Sequence, residues 1–234
     1  MSVAWVGKSR YWKPGPPNGK APRFTMPLVE DTVLRVAAMN GRTRHVSMAA
    51  AVSCSSRLAL RVALATTGLN PEWWPFRFGG GAKPRVVKAP SSALGSGVRQ
   101  FRERIEEVAR LEAFAPELAQ FGVVEELVRG AQYEADGFVL GGRVTFFHPL
   151  VQSWRGERIV AYRRCEPPHG FRDAVALALR AVGLDDAPFC AEMRNRRGRW
   201  VLIELHARLG EDAGLPRKMW SPSPLAAIEK ATEA

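Results

Sequence analysis

Two carboxylates near the C-terminal end carry the clearest chemical signal. Glu192 lies in an apolar run (F-C-A-E-M) and Glu204, twelve residues on, in another (V-L-I-E-L), with the turn residues Asn195 to Gly198 between them. Strands over Phe189 to Arg194 and Arg199 to Leu205 would pair antiparallel and bring both carboxyl groups to one point if they share a face. Such a pair repels itself unless a cation or a shared proton intervenes. Oxygen-only ligation suits Mg²⁺, which takes one or two carboxylates together with substrate phosphates. His206 and Arg208 follow Glu204 at period two and so share its face. A solvent-exposed strand face with incidental charges is the competing reading.

Two further segments could bind a ligand. Lys88 ends a short apolar strand, R-V-V-K from Arg85, and precedes a loop of small residues in which Ser91, Ser92, Gly95, Ser96 and Gly97 could bring backbone N–H groups and hydroxyls to a polyphosphate. The pattern G-x-x-x-x-G-K-[ST] is absent, and such a loop is more often only a turn. In V-V-E-E-L-V-R-G, from Val123 to Gly130, two acids interrupt an apolar strand. A strand crossing between lobes could offer its backbone to a flat heterocycle; taken alone, an edge strand with exposed acids is the favoured reading.

These residues need elements to hold them. The first fifty residues read as irregular, with turn and polyproline signals from Lys13 to Lys20 and one periodic stretch, Leu28 to Met39. A helix of about three turns begins behind Ser55 and Ser56 as caps and stops at Gly68 with Asn70-Pro71. Strand signals follow at Arg85 to Lys88, Gly122 to Val128, Tyr133 to Leu140, Arg143 to Phe147 and Ile159 to Arg163. Helices are predicted at Val98 to Leu111 and at Phe171 to Val182. The latter carries Ala174, Leu177, Ala178 and Ala181 on one face and Gly183 at its end. This alternation predicts an α+β architecture in two lobes.

Composition narrows the class. The chain has 234 residues, 46% hydrophobic and 24% charged, enough for one substantial core or two small lobes. No apolar run is long enough to span a bilayer and the N-terminus has no apolar signal region, so a cytoplasmic protein without membrane contact is expected. Cys54, Cys165 and Cys190 are too few and too scattered for a disulfide framework and are expected as buried thiols. The net charge of +11 invites a nucleic-acid reading, but residues 1–100 carry 15 basic against 3 acidic side chains and the remainder 19 against 20. No helix-turn-helix, zinc-finger or RNA-binding signature accompanies that excess, so nucleic acid is not the expected partner.

The order of the pieces resembles the ATP-grasp family of carboxylate ligases. There a strand ends in a phosphate-contacting lysine, a Gly-rich loop covers the phosphates, an E-[EK]-x-[VLI] strand holds adenine, and two terminal strands carry E...E-x-N-x-R. The resemblance covers about residues 55–215 and implies an ATP-grasp fold, two α+β lobes with the nucleotide between them. It implies a short basic segment at 1–54, a helix and linker at 55–84, a small lobe at 85–127 and a large lobe with the metal site at 128–234. Lys88 would then bind phosphates beneath Ser91, Ser92, Gly95, Ser96 and Gly97. Glu125, Glu126, Leu127 and Val128 would form the adenine hinge, with Gln132 where the family often has a ribose-binding Glu. Glu192, Glu204 and His206 would hold Mg²⁺, His206 standing in place of the family's Asn, and Arg208 would steady the transferred phosphoryl group. The implied activity is an ATP-dependent ligase that activates a carboxylate as an acylphosphate for an amine or thiol. The alternatives are a relative that binds nucleotide without turnover and a fragment of a ligase. Family members begin with an α/β domain ahead of the helix at Ser55, so a reduced or truncated N-terminal domain is expected.

Overall fold

The computed structural model describes residues 2–7, 22–27, 30–39, 43–76, 85–88, 98–101, 122–155, 158–210 and 223–233. Strands β1 (Ser2–Val6) and β2 (Pro22–Pro27) pair in parallel, and a 3-10 turn (Glu30–Thr32) leads into the short helix α1 (Val33–Ala37). Helices α2 (Met48–Ser55) and α3 (Arg57–Ala63) follow, each opened by a serine whose hydroxyl accepts a backbone N–H, Ser47 from Ala50 and Ser56 from Ala59. The predicted helix behind Ser56 is α3, which ends at Ala63, short of the predicted stop at Gly68, and α2 precedes it.

Four short strands, β3 (Trp73–Pro75), β4 (Arg85–Lys88), β5 (Val98–Phe101) and β6 (Val123–Glu126), form an antiparallel sheet in the order β3-β6-β4-β5. The predicted helix from Val98 is overturned where it is described, because Val98 to Phe101 pair with β4. Backbone pairing to a neighbouring strand has overridden a helical side-chain period. The larger antiparallel sheet comprises β7 (Gln132–Leu140), β8 (Arg143–Arg155), β9 (Arg158–Arg164), β10 (Ala187–Arg196) and β11 (Arg199–His206), in the order β11-β10-β7-β8-β9. Helix α4 (Phe171–Val182) has the predicted bounds, closed by Gly183 at φ 67, where a side chain would be strained. A last helix, α5, spans Pro224–Glu233.

The two faces of the large sheet differ. Behind it, Ala135, Phe189, Ala191, Met193, Leu202 and Leu205 pack on α4 and on the apolar sides of α2 and α3. Gly137 is required on this face, since the Phe189 ring and the Phe146 carbonyl occupy the space of a Cβ. In front, Phe138 and Leu150 lie in a smaller core under Phe24 and Met26 of β2, Leu209, and Leu225 and Ile228 of α5. The expected irregularity of the first fifty residues is thus corrected for those described: β2 covers half of the front face because its apolar side chains have a sheet to bury against. The other half of that face is polar.

Candidate functional site

The polar half follows from strand pairing. Glu192 stands opposite Glu204 on one side and Glu134 on the other, so three carboxylates form one row across β11, β10 and β7. Counting back from the tight turn at Arg197-Gly198 would place Glu192 opposite Ile203. A bulge between Glu192 and Met193 shifts the register and leaves Ile203 as the extra residue of β11. The bulge decides that both carboxylates share a face. In the next row lie His206, Cys190, Asp136 and His148.

Cations from outside the sheet meet these acids. Arg57, at the start of α3, places Nη2 2.8 Å from Glu204 Oε1. One turn on, Arg61 donates Nε to Glu125 at 2.7 Å and its two terminal nitrogens to the carbonyls of Leu202 and Ile203, both at 2.9 Å. Lys88 bridges the same partners, with Nζ 3.0 Å from Glu125 and 3.2 Å from the Ile203 carbonyl. The carbonyl of the bulge residue and the Glu125 carboxylate on β6 thus share two buried cations, which ties the small sheet to the edge of the large one. Burial alone would neutralise Glu125, yet Arg61 and Lys88 hold its pKa below the usual carboxylate range. Burial lowers that of Lys88, with Glu125 opposing.

The third group comes from the N-terminal segment. Glu30 Oε2 accepts from Arg208 Nε at 2.9 Å and lies 2.9 Å from His206 Nδ1, while His206 Nε2 is 3.2 Å from Glu204 Oε2. Burial would raise Glu30, but His206 and Arg208 outweigh it and hold it at about 2. Burial and Arg208 oppose charge on His206, and Glu204 and Glu30 raise its pKa nevertheless. Arg57, Arg61 and Glu30 were all missed in the sequence. The one available signal was two arginines four apart on a helix, which is common on exposed surfaces; here both are at most 5% exposed.

The expected residues fare unequally. Glu125 and Glu126 are buried, so the exposed-edge reading of that strand is overturned. The exposed-face reading of the C-terminal row falls as well, since His206 and Arg208 are each 6% exposed. Glu126 is held by Arg196 at 2.6 Å and accepts the Glu72 N–H, and the Val128 carbonyl accepts from Arg194 at 2.6 Å. Leu127 lies between them, half-buried. Gln132 donates to Glu192 and accepts from Arg194, so it orients Glu192. Ser91, Ser92, Gly95, Ser96 and Gly97 lie outside the described residues. Cys54 and Cys190 are buried and Cys165 is half-buried, and none of the three is in a disulfide.

Solved structures share this architecture. An L-amino acid ligase from Bacillus licheniformis superposes with a TM-score of 0.67 at 18% identity over 80% of this chain and 49% of that one. A D-alanine–D-alanine ligase from Bacillus anthracis gives 0.62 at 16% identity over 91% and 80%. A putative ATP-grasp superfamily protein from Archaeoglobus fulgidus gives 0.60 at 11% identity over 80% and 58%. The chain therefore has the ATP-grasp fold, as an α+β protein with three sheets among its described residues, and spans about half the length of the L-amino acid ligase. No family model and no curated protein matches its sequence. Among the described residues no helix is long and apolar enough to cross a membrane.

The fold implies ATP and Mg²⁺, and the residues fit them differently. For a polyphosphate, the junction of the small and large sheets offers Arg57, Arg61 and Lys88, each already facing a carboxylate. For Mg²⁺, Glu204 keeps acceptor sites beyond its single contacts with Arg57 and His206, whereas both nitrogens of His206 face carboxylates. Among the described residues, the donor atoms that gather within 4.8 Å of one another are those of Glu134, Asp136 and Cys190, not those of Glu192, Glu204 and His206.

Proposed function

We propose that this chain is an ATP-binding domain of the carboxylate–amine ligase kind. The observation that carries the reading is the buried set of Arg57, Arg61 and Lys88 between hinge strand β6 and the edge of the large sheet, within the ATP-grasp fold. In this reading ATP lies between the sheets, its base against Glu125 to Val128 and its phosphates toward Lys88, Arg57 and Arg208. Its terminal phosphoryl group passes to a substrate carboxylate, releasing ADP. An amine then attacks the acyl carbon, the new C–N bond forms and inorganic phosphate leaves with the former carboxylate oxygen. Such chemistry needs charge neutralisation and in-line positioning more than covalent help from the protein. Guanidinium groups present planar N–H forks to phosphate oxygens, and water excluded from the cleft strengthens those contacts.

Calorimetric titration of the purified chain with ATP tests this reading. Lys88→Ala and Glu204→Gln are each expected to weaken binding, and a well-folded protein that takes up no ATP sinks it. A second reading, nucleotide binding without turnover, is favoured by Glu30, whose carboxylate already sits on Arg208 and His206. Release of ADP when ATP is mixed with pooled amino acids and carboxylates separates the two.

A further inference from the structure

We propose that Glu134, Asp136 and Cys190 hold a borderline divalent metal ion such as Zn²⁺, at a site on strands β7 and β10 beside the Glu192 carboxylate. Strand pairing builds it. Glu134 and Asp136 are two residues apart on β7 and so share a face, and Cys190 stands directly opposite Asp136 on β10. One donor atom from each side chain, two carboxylate oxygens and the thiol sulfur, lies within 4.8 Å of the others. Both strands run inside the sheet, and Glu134, Asp136 and Cys190 are 0%, 0% and 2% exposed, so the donors meet in the interior rather than at the surface.

Two neighbours orient the carboxylates. The Gly210 N–H donates to Asp136 Oδ1 at 2.6 Å and Gln152 Nε2 donates to Glu134 Oε2 at 2.7 Å, as the outer partners of metal ligands do. A carboxylate has about four acceptor positions, so these bonds exhaust neither. Gln152 points to a cation independently. It is 5% exposed, and its Oε1 is buried with no hydrogen-bond partner among the described residues. Its Nε2 anchors that amide on Glu134, and an amide oxygen held beside carboxylates is satisfied by a cation, which it ligates as they do. Sulfur then selects the ion: Mg²⁺ takes oxygen donors, whereas a thiolate with carboxylates suits Zn²⁺. Binding forms a metal–sulfur bond and releases the Cys190 thiol proton to solvent. The site is independent of the nucleotide reading.

Titration of the purified, metal-stripped chain with Co²⁺ tests the site, because a cobalt–sulfur bond gives a near-ultraviolet charge-transfer band that oxygen ligands do not. A band that saturates at equimolar Co²⁺ is expected, abolished by Zn²⁺ and unaffected by excess Mg²⁺. Cys190→Ser and Asp136→Asn, checked for folding by circular dichroism, are each expected to lose it, and Cys165→Ser to keep it. A folded chain that gives no band, or a band that survives either of the first two substitutions, overturns the proposal. Should those variants unfold, alkylation of the unaltered chain in moderate urea decides. Zn²⁺ is expected to slow labelling of Cys190 by about tenfold, and an unchanged rate overturns the site.

Discussion

Arg57 lies within electrostatic reach of Glu204, Glu125 and Glu192, and burial alone would make its charge unfavourable. Glu204 outweighs that cost and raises the Arg57 pKa, so each member of the pair depends on the other. Replacing Arg57 by Met leaves a buried carboxylate beside an apolar chain. The expected loss is about 3–5 kcal/mol, read from urea unfolding, together with weaker ATP binding. A change under about 1 kcal/mol would show that Glu204 finds another partner. Glu30 and His206 make a pH-dependent pair. The Glu30 pKa falls from 4.5 to about 2, so its contribution is present above pH 4.5 and fades as the pH drops toward 2. The His206 pKa is raised from 6.5, so its contribution is complete below pH 6.5 and fades as the pH climbs through the raised value. The stability difference between the unaltered chain and Glu30→Gln should therefore be largest between pH 4.5 and 6.5, on the order of 2–3 kcal/mol, and shrink on either side. A flat difference across pH would mean that Glu30 is not bound to charged groups.

At the level of the element, strands and the long helix were legible where apolar periodicity meets a glycine. Phe171–Val182 ends at Gly183, and Arg143 follows the Gly141-Gly142 turn. Boundaries set by long-range pairing were not. β8 runs eight residues past the predicted Phe147 because β7 and β9 hold its two sides. The face of α4 was legible in part: the predicted Ala174 and Ala178 are buried with Phe171, Val175, Leu179 and Val182, whereas the predicted Leu177 and Ala181 lie at the margin of the core. Aromatic neighbours hold Phe171 in that core, since it packs 4.9 Å from Trp200 and 5.8 Å from Tyr133 by ring centroids. Gly137 tests how tightly the sheet and this core fit. Gly137→Ala must push the Phe189 ring or the Phe146 carbonyl aside, with an expected cost of about 1–3 kcal/mol in denaturant unfolding. A variant as stable as the unaltered chain would mean that the ring swings away freely.

Across the whole molecule, one sheet serves two layers. Its rear face makes the main core with α2, α3 and α4, and its front face is divided between the small core under β2 and α5 and the row of charged groups. The segment that carries Glu30 follows β2 directly, so apolar burial of Phe24 and Met26 also sets where the Glu30 carboxylate lies. Met26→Ala is expected to cost about 2–5 kcal/mol by urea unfolding and to weaken the Glu30 contact, seen as a smaller pH dependence of stability. A stability loss with the pH dependence intact would separate the two roles. The basic excess of the first hundred residues now includes the buried Arg57, Arg61 and Lys88, each matched to an acid from the second half of the chain.

Residue types and their period along the chain were enough to determine an α+β chain whose C-terminal hairpin carries Glu192, Glu204, His206 and Arg208. Their order with Lys88 and Glu125 was enough to suggest the fold. Only the tertiary structure decided what these groups meet. The bulge at Ile203, the two arginines of α3 and the arrival of Glu30 depend on pairings between residues far apart in sequence, and the charge on a buried side chain is set by such neighbours rather than by its own type. Of the three side chains read along the strands as a metal site, Glu204 faces Arg57 and His206, His206 also faces Glu30, and Glu192 accepts from Gln132.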